Sequence, residues 1–242
     1  MARSSTSSTD ETIRRVRDFS VSEDVLNCEE TRKSGLILRY AHESAESLVQ
    51  AFEIIRSQRG APRGATTDEE QDLLRSMVVI CGAGLDSMMK QLIRDCLPGL
   101  IGQEGLVSEE FRKYVERRLR ATDGEGDGES PHRLLARALT SGDPRSELIE
   151  GYVQHLTGGS LQSVEELSRV LGALGLGSIR VDRDKMKTIF TARNQIVHEM
   201  DIDFDAARRN RRTRRMDHMI GWAKELLELS ERVLRATYQQ LH

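Results

Sequence analysis

The sequence predicts an all-α protein. Charged residues fill 31 % of its 242 positions and aromatics only 4 %, Leu, Ala, Glu and Arg recur throughout, and apolar residues return at helical spacing. That vocabulary suits amphipathic helices packed on one another rather than sheets. The length allows a proper buried core, in one large domain or in a domain with appendages.

Lys plus Arg number 36 against 39 Asp plus Glu. The chain as a whole is therefore not a polyelectrolyte binder, and any nucleic-acid contact must be local. Cys28, Cys81 and Cys96 form an odd set without CxxC spacing, which offers neither a disulfide framework nor a zinc site; two of them lie in an apolar helix, where Cys acts as a small hydrophobe. No metal and no cofactor are expected. The opening MARSSTSSTDET has no apolar stretch of the signal-peptide kind, and no run approaches the ~20 apolar residues that span a bilayer. A cytoplasmic location without membrane contact is the expectation.

Residues 1–12 are Ser/Thr-rich and lack a hydrophobic period, so they read as a loose arm. A short helix is expected over 13–19, and Ser22 followed by Glu23 and Asp24 marks another helix start. Ile37, Ala41, Ser44, Leu48, Phe52 and Ile55 fall on one stripe and predict a helix over 35–57, stopped by the Gly and Pro of 58–64. Thr67 offers an N-cap with carboxylates in the following turn. The helix it starts carries Leu74, Met77, Cys81, Leu85, Met88 and Leu92 on one face, and Pro98 and Gly99 are expected to end it. Gly82 and Gly84 inside it imply close approach by a neighbouring helix.

A charged surface helix is expected over 108–120. Residues 122–131 read as a flexible excursion whose alternating acids lack the ligand order of a calcium loop. Helices follow over 132–140, 145–156 and 163–174, with glycines as stops. Two long helices close the chain, 184–200 and 215–241, the latter aligning Met219, Trp222, Leu226, Leu229, Val233 and Thr237.

The stretch 187–200, KTIFTARNQIVHEM, is the informative one. Met186, Ile189, Phe190, Ile196, Val197 and Met200 define its apolar stripe on a helical wheel, and Arg193 sits near the middle. A guanidinium there must meet a carboxylate, a backbone carbonyl or an anionic ligand, or line a cleft, because burying it alone is prohibitive. Asn194 and His198, four apart, share the flank of the stripe. One helix thus offers a fixed cation, an amide and a titratable imidazole within about a turn and a half. The structural alternative pairs Arg193 with a core acid and makes His198 a satisfied interior histidine.

Just downstream, Arg208, Arg209, Arg211, Arg212, Arg214 and Arg215 crowd six arginines into eight residues. Like charges at that density repel, and a phosphate backbone would neutralise them with counterion release. A solvated helix start, or a strip that docks an acidic protein, would use the same residues.

Arg193, four intervening residues and His198, within the late helix expected over 184–200, resemble the Arg-(four to six residues)-His signature of HEPN domains. The string ARNQIVHE is similar to HEPN proteins of bacterial defence and toxin systems, and GAGLDS at 82–87 to a small-residue-then-Leu-Asp pattern that some of them carry. The resemblance covers helices 35–57, 67–97, 184–200 and 215–241. It implies a HEPN-like four-helix bundle core over 35–242, with 99–183 as a helical insertion between core helices two and three, and 1–34 as a flexible arm with short helices.

The resemblance further implies a metal-independent endoribonuclease that cuts RNA by 2′-hydroxyl attack. Its site would be composite, formed in a homodimer, with a defence or toxin role and an antitoxin or other defence-system protein as a further partner. His198 would accept or donate a proton, since an imidazole titrates near neutral pH. Arg193 would stabilise charge on the phosphate, and Asn194 would orient the phosphate or the histidine. The arginines at 208, 209, 211, 212, 214 and 215 would bind RNA, and Asp86 would be a partner for Arg193.

Residues five apart on a helix point roughly 140° apart, so Arg193 and His198 of one chain do not converge on one phosphate. A two-fold interface would bring one chain's histidine to the other's arginine, with the flanking Met, Ile and Val as its contact surface. Two further readings fit the same residues: a HEPN-like module that binds a nucleotide or partner without cleaving, and a helical scaffold or nucleic-acid-associated regulator. No helix-turn-helix spacing favours the last.

Overall fold

The computed structural model describes residues 16, 18–59, 64–120, 130–161 and 163–242, and among these the protein is all-α, with one isolated β-bridge between Ile202 and Arg211. Its helices are α1 (Glu23–Asn27), α2 (Glu29–Gln58), α3 (Asp68–Ile101), α4 (Leu106–Arg120), α5 (Pro131–Thr140), α6 (Pro144–Thr157), α7 (Val164–Ala173), α8 (Arg183–Glu199) and α9 (Met216–Leu241). Of the expected helix over 13–19 only residues 16, 18 and 19 are described, and of the excursion over 122–131 only the last two.

α3 is the axis of the fold. Thr67 caps it as expected, accepting from the Glu70 N–H while the Glu70 carboxylate accepts from the Thr67 N–H, so two orphan donors of the first turn are satisfied. α2 packs along α3 and α9 lies against both. Gly84 makes the α2–α3 approach possible: a Cβ there would stand 2.5 Å from Ala41 Cβ, closer than two carbons can come. α4, α6 and α8 also pack on α3, while α7 bridges α4 to α8. The buried side chains of α2, α3, α4 and α6 to α9 form one continuous core.

Two boundaries and the setting of one helix differ from expectation, each for a reason of burial. α2 begins at Glu29, and α1 docks beside it with Val25 and Leu26 buried; Thr31 Oγ1 donates to the Val25 carbonyl at 2.7 Å. His42 bonds the Val16 carbonyl at 2.6 Å and faces the Phe19 ring at 5.0 Å. A domain edge at residue 35 thus falls inside a continuous helix, and residues 19–34 are packed rather than a loose arm. α3 continues through Pro98 to Ile101, because Leu97, Leu100 and Ile101 are buried. Their burial, about 1.5–3 kcal/mol per side chain, exceeds the roughly 3 kcal/mol of a proline inside a helix. α4 is not wholly a surface helix: Val107 and Tyr114 are buried, and Tyr114 meets Tyr152 of α6 at 4.5 Å between ring centroids.

By length and composition α3 could also cross a membrane. Counting apolar residues alone passes over this, because Asp86 and Lys90 interrupt the run. Here its apolar side chains are covered by the surrounding helices, the position of a core helix.

Candidate functional site

α8 is started by Asp182, whose carboxylate accepts from the Lys185 N–H at 3.0 Å. Met186, Ile189, Phe190 and Ala192 are buried, but Ile196 is only half-buried, and Val197 and Met200 are 39 % and 63 % exposed. The apolar stripe read from the wheel is therefore covered along its first half alone. Phe204, in the loop that follows, is 55 % exposed beside it in sequence.

Arg193 is half-buried, and its Nη1 donates to Asn194 Oδ1 at 3.1 Å. Its stem lies over Gly82 of α3, where a Cβ would stand 3.5 Å from Arg193 Cγ and 3.9 Å from Nε. Among the described residues no carboxylate pairs with it. Asp86 is not its partner, because that carboxylate is taken by Lys90 Nζ at 2.9 Å and by the Leu161 N–H at 2.8 Å. His198 is exposed in the last turn of α8 and makes no side-chain hydrogen bond among the described residues, so it is not an interior histidine.

A buried acid does stand just past the end of α8, yet it serves other arginines. α8 ends with Met200 and Asp201 in left-handed conformation, φ 51° and 59°. Asp201 is fully buried, and its carboxylate accepts from Arg75 Nε at 2.8 Å and from Arg214 Nη2 at 2.6 Å. Its carbonyl accepts from the Arg212 N–H at 2.8 Å. Arg75 Nη2 donates to the Arg212 carbonyl at 2.7 Å, and Gln71 exchanges two hydrogen bonds with the Arg214 backbone. The cluster ties the loop 200–215 to α3. Arg75, beside Leu74 and two before Met77, was its legible trace; Asp201, just past a helix end, carried no pattern.

The arginine run is accordingly not a strip of unpaired charge. Arg211 meets Asp72 at 2.7 Å, Arg212 meets Glu199 at 3.3 Å, Arg214 meets Asp201, and Arg215 meets Asp217 at 2.7 Å. Arg211 and Arg75 hold the Asp72 carboxyl below its ordinary range. Mutual repulsion within the run is relieved by the chain's own carboxylates. Arg208 and Arg209 are exposed and unpaired among the described residues.

A groove of about 490 Å³ runs along α8 next to this constellation, between Glu165 at the start of α7 and Arg183, Lys187, Phe190, Thr191 and Asn194 of α8. No family model, no curated protein and no solved structure matches the chain.

Among the described residues no three His, Cys, Asp or Glu side chains stand close enough to share a metal ion. Burial pushes the Cys81 and Cys96 thiols up to about 12, which leaves them protonated core residues. Arg193, Asn194 and His198 thus form one run on the exposed end of α8, with a guanidinium held by an amide and an imidazole open to solvent.

Proposed function

We propose that the protein is an endoribonuclease of HEPN type that cuts RNA at a composite site formed by two copies of the chain. The observation that carries this reading is Arg193: a half-buried guanidinium bonded to Asn194 and to no acid among the described residues. A cation so placed retains donors for an anion.

In the reaction the neutral His198 imidazole accepts the ribose 2′-hydroxyl proton, and the 2′-oxygen attacks phosphorus. Arg193 donates to the non-bridging oxygens as charge builds there. Asn194 gives its Oδ1 to Arg193 and keeps its amide N–H groups for the phosphate. The bond from phosphorus to the 5′-oxygen breaks, and that oxygen takes a proton from the imidazolium of the second copy's His198. A 2′,3′-cyclic phosphate and a 5′-hydroxyl result.

The angular offset between Arg193 and His198 favours two copies over one. Val197 and Met200, exposed on either side of His198 in the chain, and the exposed Phe204 of the following loop offer apolar surface for such an interface. Direct RNA contact from the arginine run falls first to Arg208 and Arg209. A defence or toxin role, with its protein partner, rests on the resemblance alone.

Incubating the purified chain with RNA in EDTA tests the function: cyclic-phosphate ends should form, and His198→Ala should abolish them. Because His198 is exposed, the variant should stay folded. Undiminished cleavage by His198→Ala would refute the assignment.

A further inference from the structure

We infer that the α7–α8 groove is a nucleotide subsite, receiving the nucleotide unit that flanks the bond to be cut. Its placement beside the cut rests on the cleavage function proposed above; nucleotide binding itself is measurable without cleavage.

The groove's position comes first. Asp184, Lys187, Thr191 and Asn194 lie three or four residues apart, so they share one face of α8 and line one wall. Asn194 is the end of that wall and also the hydrogen-bond partner of Arg193. A strand whose phosphate sits at Arg193 and Asn194 can therefore continue along α8 toward Lys187, about 10 Å away by helical rise. That is the scale of a single nucleotide with its flanking phosphates.

The lining has the mixed character a nucleotide requires. Val164 and Phe190 are the apolar side chains of the lining, set into its floor with only an edge of each exposed. Lys187 is exposed and has no ion-pair partner among the described residues, so its ammonium is available to a phosphate. Arg183, by contrast, is engaged with Glu165 at 3.4 Å and Ser168 at 3.1 Å. The Asp184 side chain is also unpaired among the described residues. A carboxylate accepts hydrogen bonds and gives none, which suits the amino group of adenine or cytosine; the single N3–H of uracil is flanked by two carbonyl oxygens that repel the carboxylate. A volume near 490 Å³ lies within the usual range of small-ligand sites.

The test titrates the full chain carrying His198→Ala with AMP, UMP and a short adenine-rich oligoribonucleotide, followed by NMR or calorimetry. AMP should bind more tightly than UMP. Lys187→Glu should weaken AMP by about tenfold, the loss expected for one charge-assisted contact. Thr191→Trp, which fills the groove from an exposed position, should abolish binding. Tighter binding of the oligomer than of AMP marks an RNA strand as the ligand; equal binding marks a free nucleotide. Absence of binding by AMP and oligomer, or equal AMP binding by all three proteins, overturns the subsite.

Failure of the cleavage function looks different. An unmutated chain that binds AMP in the groove yet leaves RNA intact removes the nuclease and keeps the subsite. One that cleaves RNA with unchanged base preference in both groove variants does the reverse.

Discussion

Gly82 of α3 faces the Arg193 side chain of α8 with 3.5 Å between the site of a missing Cβ and Arg193 Cγ, whereas Gly84 faces Ala41 with 2.5 Å. The two glycines therefore serve different ends. Gly82→Ala meets ordinary contact and relieves the helix of a flexible residue, so it should stabilise the protein by about 0.5–1 kcal/mol. Gly84→Ala must push α2 away and should destabilise by about 1–3 kcal/mol. Denaturant midpoints read both signs, and stabilisation by both would contradict the packing. Gly82→Leu, which displaces Arg193, should lower RNA cleavage more than it lowers stability.

Asp201 is the structural acid of the 200–215 loop, and removing it takes the buried carboxylate from both Arg75 Nε and Arg214, leaving Arg75 only Asp72 and the Arg212 carbonyl. Asp201→Ala should cost about 3–5 kcal/mol, the range for breaking a buried ion pair from one side. Arg208→Glu, at an exposed position, should change stability by no more than about 0.5 kcal/mol. Equal midpoints for the two variants would mean that Asp201 does not anchor the loop.

This loop also marks where the sequence stopped being readable. The periodicity of 35–57 and 215–241, the Thr67 cap and the two glycines were legible because each depends on near neighbours in the chain or on one helix face. The pairing of Arg75 with Asp201 spans 126 positions, and nothing local distinguishes an arginine that meets a distant acid from one that meets a ligand. Arg193 and Arg75 look alike on their wheels; only the tertiary arrangement gives an acid to one. For the same reason, Arg211 to Arg215 read as a surface for phosphate before Asp72, Glu199, Asp201 and Asp217 had been brought to them. The docking of residues 19–34 was hidden because it rests on a few scattered contacts, such as the Phe19 ring against His42 and the buried Val25 and Leu26.

Arg208 and Arg209 should carry the salt-sensitive part of RNA binding. Reversing both to Glu should weaken RNA affinity without unfolding the chain. The slope of log affinity against log salt should flatten by at least ~1.4, since each lost phosphate contact on a single strand contributes about 0.7. Binding isotherms at several salt concentrations read this directly. An unchanged slope would mean that the run serves the fold alone.

His155 lies 5.3 Å from the Tyr114 ring, between centroids, and desolvation, helped by Arg169, Arg117 and Arg118, lowers its pKa below the ordinary 6.5. The folded state then binds fewer protons than the unfolded one near that pH. Stability from this site is complete above 6.5 and declines as pH falls below it. His155→Gln should remove that part of the acid sensitivity, seen as a flatter dependence of melting temperature on pH as pH falls below 6.5. An identical profile would exclude His155 as a contributor.

Met200 is the most exposed of the apolar side chains next to His198, and it caps α8 in left-handed conformation. In a lone chain its exposed side chain gains nothing from burial; in a pair joined at the end of α8 it is covered. Met200→Glu should therefore leave the melting temperature of the isolated chain nearly unchanged, because it removes no contact from the core. It should separate the copies, since two carboxylates brought together across a two-fold axis repel in a desolvated interface. Sedimentation should show a pair for the unaltered chain and a single copy for the variant, with RNA cleavage lost in step. A variant that sediments as one copy and still cleaves at the full rate would show that Arg193 and His198 of one chain suffice, despite their opposed directions on the helix.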